Sequence, residues 1–187
     1  MTDRLAPTPG QTVGPFFAYA LPFEHDSELV PHAHPDALRL HGWVLDGRGD
    51  PVPDALLEIW QADPDGKVVQ EPGSLRRDGW TFTGWGRAST DDAGEYSFTT
   101  LLPGATESGT APFFAITVFA RGLLNRLFTR AYLPGDDAAL SADRTLSALP
   151  EDRRATLIAE ADGSRSYRFD VVLQGDNETV FLRYPGQ

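Results

Sequence analysis

At 187 residues and 41% hydrophobic content, the chain can bury a sizeable core as one domain, or as one domain with long arms. Having no cysteine excludes disulfides and thiolate metal sites. A formal net charge of -11 argues against nucleic acid as a partner, and any anionic ligand would need a local cation inside its site.

Met1–Leu5 carries charge and no apolar run of signal-peptide length, and no segment is long enough to span a membrane, so a cytoplasmic protein is expected. Prolines at 7, 9, 15, 22, 31 and 35 punctuate residues 1–37, which predicts an extended N-terminal arm ahead of a domain over 38–187. Within the arm, Thr8-Pro-Gly-Gln-Thr-Val-Gly-Pro-Phe-Phe17 has two readings. It is a turn whose phenylalanines pin the arm down, or a loop whose glycine lets backbone approach a ligand closely.

Leu38–Leu45 alternates as a strand, and the turn Asp46–Pro51 leads to a second strand over Ala55–Gln61. Trp80–Ser89 and Glu95–Thr100 form strands around the hairpin turn Asp91–Gly94. Pro112–Arg121 is the most strongly patterned strand. One face carries Phe113, Ala115, Thr117 and Phe119, and the other carries Phe114, Ile116, Val118 and Ala120, so both faces need cover. Leu123–Leu133 follows, with Arg126, Phe128, Arg130 and Tyr132 on one face. Pro150–Glu160 is the one predicted helix, short, with proline and acids at its start. Ser166–Leu173 and Glu178–Tyr184 complete the strands. The fold class is mainly β: an antiparallel β-sandwich with an extended N-terminal arm and one short helix.

Nucleophilic and phosphate-cradling motifs are absent: there is no cysteine, no Gly-x-Ser-x-Gly and no Gly-x-x-x-x-Gly-Lys. His32 and His34 have H-x-H spacing, but prolines 31 and 35 flank them in a predicted loop. The acidic pairs Asp91-Asp92 and Asp136-Asp137 sit in predicted turns, where turn preference explains them. Arg130 alternates with aromatic residues. It is an ordinary surface arginine, or a guanidinium held against ring faces and able to take a carboxylate through two parallel hydrogen bonds.

Several stretches together carry a family likeness. They are Thr8–Phe17; Leu57-Glu-Ile-Trp-Gln-Ala-Asp63 with Asp65-Gly66; Gly86-Arg-Ala-Ser-Thr-Asp-Asp-Ala-Gly-Glu-Tyr96; Leu102-Pro-Gly104; and Phe128-Thr-Arg-Ala-Tyr-Leu133. In this order the chain resembles the intradiol ring-cleaving dioxygenases. The resemblance implies a β-sandwich and a non-haem ferric ion, Fe(3+), held by two tyrosines and two histidines. At the corresponding positions this chain has Val68, Thr106, Phe113 and Ala115, so it departs from the iron-binding pattern at each of them. It looks instead like the α type of chain, inactive alone, that pairs with an iron-bearing β subunit of the same fold in a higher-order (αβ)n assembly. The implied substrates are protocatechuate and O2, with no nucleic acid and no membrane involved. The substrate-binding residues carried over are Thr12, Gly14, Pro15 and Arg130; no catalytic or metal-binding residue is expected on this chain. The alternatives are a stand-alone module that binds aromatic acids without turnover, or an enzyme with a metal site relocated to His32 and His34.

Overall fold

The computed structural model describes residues 9–14, 16–71 and 77–184. In chain order its elements are α1 (Phe17–Ala20), β1 (Leu38–Leu45), β2 (Leu56–Trp60), β3 (Trp85–Ser89), β4 (Glu95–Thr100), β5 (Phe113–Phe119), β6 (Leu127–Tyr132), α2 (Asp137–Ala142), α3 (Arg144–Ser147), α4 (Glu151–Ala155), β7 (Glu160–Ala161), β8 (Ser166–Arg168) and β9 (Val171–Val172). One sheet has the order β4-β1-β8-β7, with β9 also on β1, and the other has the order β3-β2-β5-β6. The second sheet is antiparallel throughout; in the first, β8 and β9 run parallel to β1.

Alternation decides how the sheets meet. Leu40 and Val44 of β1, Phe98 of β4, Leu57 and Ile59 of β2, and Phe114, Ile116 and Val118 of β5 belong to one buried cluster. Side chains from both sheets share it, which makes the fold a β-sandwich. Burying one such residue contributes about 1.5–3 kcal/mol. The central strand behaves as its alternation requires: Phe114, Ile116 and Val118 are buried, while Phe113, Ala115, Thr117 and Phe119 are half-buried on the outer face.

Two segments of this chain cover parts of that outer face. The arm lies along one side: Phe17 packs on Phe119 at 5.4 Å between ring centres, and Phe23 stacks on Trp85 at 6.2 Å. Ser89 Oγ donates to the Ala18 carbonyl and Arg87 Nη1 to the Leu21 carbonyl, each at 3.0 Å. Phe16, by contrast, is 78% exposed, so only one of the two neighbouring phenylalanines anchors the arm. On the other side, residues of the helical segment form a second small core, with Leu140, Leu146 and Leu157 around Tyr132 and with Phe113 packed against it.

The structure has more helix and less strand than the sequence predicts. Besides α4, short helices form at α1, α2 and α3; the Asp136 carboxylate caps α2 and the Asp143 carboxylate caps α3. Trp80–Phe82 is not strand, because Asp78 takes the amides of Trp80 and Thr81 into an Asx turn. Leu123–Arg126 belongs to the turn between β5 and β6, where Gly122 has a φ of 88°. Ser166–Leu173 divides into β8 and β9. Gly42, lacking a Cβ, admits the Phe169 carbonyl against β1, and Asp170 Oδ1 takes the Trp43 amide at 3.1 Å, replacing a ladder bond. Glu178–Tyr184 is no strand: Val172 N–H bonds to the Thr179 hydroxyl and Thr179 N–H returns to the Val172 carbonyl, which leaves an isolated bridge from Phe128 to Leu182. Among the described residues, no helix is long and apolar enough to cross a membrane.

Candidate functional site

Strand register arranges the outer face of the second sheet in rows. Trp85, Trp60, Ala115 and Arg130 are cross-strand partners in one row. Arg87, Glu58, Thr117 and Phe128 form the next. Directly opposed side chains are close enough to interact. Ala115, the smallest, therefore stands between the large side chains of Trp60 and Arg130, and Trp60 remains 45% exposed. In the second row, Arg87 pairs with Glu58 at 3.1 Å and lies 5.2 Å from the Trp85 ring centre.

Arg130 is held from several sides. Its guanidinium lies 3.9 Å from the centre of the Phe113 ring. Nη1 donates to the Tyr132 hydroxyl and to the Thr145 hydroxyl, each at 3.2 Å. The buried Tyr132 hydroxyl donates to Asp143 Oδ1 at 3.2 Å, and Asp143 is itself buried. Burial works to lower the pKa of Arg130, but its contacts with the Tyr132 and Tyr184 hydroxyls outweigh that and hold it above the usual arginine value. Burial pushes the Tyr132 phenol up, so it stays a neutral donor at neutral pH. Arg130 Nε is buried and has no hydrogen-bond partner among the described residues. A buried donor of a charged group without a partner is costly.

Thr12 lies elsewhere along the same hairpin. Its hydroxyl accepts the Gly122 amide at 2.8 Å, in the turn joining β5 to β6. The Gly14 carbonyl accepts the Phe17 amide at the start of α1, and a Cβ added at Gly14 would meet nothing within 4 Å among the described residues. Pro15 lies outside the described residues. Arg130 pairs with Ala115, three register steps inward from the Val118–Leu127 pair nearest the turn. Thr12 and Arg130 thus mark two separate places on one surface, and no described contact joins them. Tyr132, Thr145 and Asp143 were not singled out from the sequence as site residues; the alternation of Arg130 with Tyr132 was the only signal available for one of them.

Val68 and Thr106 lie on two loops packed backbone to backbone. Gly104 N–H donates to the Asp63 carbonyl at 2.8 Å, and a Cβ on Gly104 would fall on the backbone of Gly66 and 2.5 Å from the Pro64 oxygen. Val68 is bridged to Ala62, just past the end of β2, and both Val68 and Thr106 are exposed. His32 Nδ1 engages the Thr99 hydroxyl at 3.1 Å, and His34 Nδ1 accepts the Asp36 amide at 3.1 Å. Among the described residues, no three His, Asp or Glu side chains are placed to hold a metal ion.

A family model described as Dioxygenase matches residues 12–175 of the chain. The chain belongs to the intradiol dioxygenase family. The protocatechuate 3,4-dioxygenase alpha chain of Burkholderia cepacia is 39% identical over 194 residues, covering 95% of this chain and 98% of that one. The beta chain of the same name and organism is 34% identical over 183 residues, covering 87% of this chain and 76% of that one. The solved intradiol ring-cleavage dioxygenase of Tetranychus urticae superposes with a TM-score of 0.58 at 16% identity, over 83% of this chain and 92% of that one, a likeness of fold. Intradiol dioxygenases depend on non-haem iron. Here Val68, Phe113 and Ala115 offer it no lone pair and Thr106 only a neutral hydroxyl, so these four residues do not fit a ferric ion.

Proposed function

We propose that this chain is the α subunit of a protocatechuate 3,4-dioxygenase and shapes a substrate pocket completed by the β subunit. One observation carries the reading: the row Trp60–Ala115–Arg130 keeps a half-buried guanidinium held by Phe113, Tyr132 and Thr145, while Phe113 and Ala115 on β5 are hydrocarbon where the resemblance implies histidines. In this reading the guanidinium serves a carboxylate, and these two positions of β5 supply no donor to a metal. The ferric ion of the reaction then belongs to the β subunit.

In this reading Thr12, Gly14 and Pro15 form a close-fitting wall against the aromatic ring, and Arg130 takes the ring carboxylate. A local cation is what a chain of net charge -11 requires to hold an anionic substrate. The reaction consumes O2, breaks the ring bond between the two hydroxyl-bearing carbons, and gives 3-carboxy-cis,cis-muconate with both oxygen atoms incorporated. The partly exposed Trp60 and Val68 supply apolar surface for the β subunit to cover, within a higher-order (αβ)n assembly.

Co-expression with the β subunit tests this directly. The two chains are expected to co-elute on size-exclusion chromatography and to turn over protocatechuate. A chain that elutes alone and binds aromatic acids without turnover would instead be a stand-alone binding module.

A further inference from the structure

We infer that Phe113 and Tyr132 are positioning residues that preset Arg130 for a ring carboxylate and so set the preference for carboxylate-bearing catechols over bare ones. The inference rests on the proposed role of Arg130 and adds how that arginine is aimed. An arginine side chain has many rotamers, and ordering it opposes binding. Here the ordering is already done. The guanidinium carbon lies over the Phe113 ring, 3.9 Å from its centre, which limits its movement away from the ring. The hydroxyls of Tyr132 and Thr145 both take Nη1, which limits the rotation of the guanidinium. With Nη1 engaged and Nε buried, the guanidinium is held in one orientation, and only part of the side chain reaches the surface.

A second layer makes the arrangement rigid. Asp143 Oδ1 accepts the Tyr132 hydroxyl and also the Thr145 and Leu146 amides, at 3.2, 2.9 and 3.1 Å. Asp143 Oδ2 accepts the Ala111 amide at 3.3 Å, two residues before β5. One buried carboxylate therefore ties β6, α3 and the approach to β5 together around the arginine. The same bonds orient the Tyr132 hydroxyl, whose lone pairs face Arg130 because its proton goes to Asp143. Phe113 suits this position better than a metal-binding side chain would, since an imidazole ligating a cation is drained of ring electron density and attracts a second cation poorly.

The test uses the α/β complex, with kcat/KM measured for protocatechuate and for catechol. In Phe113→Leu and in Tyr132→Phe, the preference for protocatechuate over catechol is expected to fall about three- to tenfold through KM, the scale of one cation–π contact and less than the loss of the arginine itself. Circular dichroism melts identify which variants fold. Tyr132→Phe deletes a single oxygen, so it tests the proposal even if Phe113→Leu fails to fold. In the isolated chain, Phe113→Leu should also move the Arg130 Nε–H proton resonance downfield, because the ring current is lost. Parent-like preference in either folded variant, alongside lost preference in Arg130→Ala, overturns the positioning role and leaves the proposed function standing. Parent-like preference in Arg130→Ala removes the proposed role of the arginine itself.

Discussion

The Arg130 guanidinium rests 3.9 Å above the centre of the Phe113 ring, joining the outer ends of two paired strands. Strand pairing places this half-buried cation beside Ala115, with Trp60 on the far side of Ala115, on the face where the family likeness would put iron ligands. If Arg130 holds the substrate carboxylate, Arg130→Ala in the α/β complex should mainly raise KM. A loss of about 1.5–3 kcal/mol, or about 10- to 150-fold, is the scale of a charged hydrogen bond. Steady-state kinetics with protocatechuate measures it, and an unchanged KM would reject the role.

Gly14 and Gly104 should respond to alanine in opposite ways. A methyl at Gly14 meets nothing within 4 Å among the described residues, so the stability of the chain should change by less than about 0.5 kcal/mol. If Gly14 forms part of the substrate wall, KM in the complex should nevertheless rise, because the methyl would narrow it. At Gly104 the methyl meets the backbone of Gly66 and Pro64, which cannot rotate aside. Urea denaturation should show a loss of about 1–3 kcal/mol for Gly104→Ala.

Arg87 joins the arm to the sheet, through Glu58 on β2 and the Leu21 carbonyl. Both partners of the ion pair are largely buried, and Arg87→Ala would leave Glu58 without its cation. The expected cost is about 3 kcal/mol, the lower end for breaking a buried pair. The arm should also become more open to limited proteolysis around residues 16–24. A stable variant with an intact arm would show that the pair contributes little.

Asp78 should make the stability of the fold depend on pH. Amide bonds from Thr81 and Trp80, with the Thr81 hydroxyl, hold its carboxyl down from 3.8 to about 2. A depressed folded-state pKa gives stability that is present above 3.8 and is lost as pH falls toward about 2. Asp78→Asn should therefore melt below the parent at pH 6, and the gap should close as the pH drops through that window. A gap that persists at pH 2 would mean the turn is stabilised by something other than the ionised carboxylate.

Much of the sandwich was legible in local pattern. The alternation in Pro112–Arg121 states which residues face the core and which face outward, and the structure buries Phe114, Ile116 and Val118 accordingly. What local pattern could not contain were distant backbone encounters. Ser166–Leu173 reads as one strand, but Gly42 and Asp170 break its ladder from more than a hundred residues apart in sequence. The helices at 137–147 depend on Asp136 and Asp143 as caps, and in an acidic, alanine-rich stretch those aspartates look like any others. At the site, the alternation of Arg130 with aromatics was visible. That its ring partner would be Phe113 follows only from the pairing of β5 with β6.

The most direct measurement is iron and turnover for the purified chain, alone and after assembly with the β subunit. Alone, the chain should hold no stoichiometric iron by elemental analysis and open no protocatechuate, and both iron and activity should arrive with the β subunit. Stoichiometric iron and ring cleavage from the chain by itself would contradict the account.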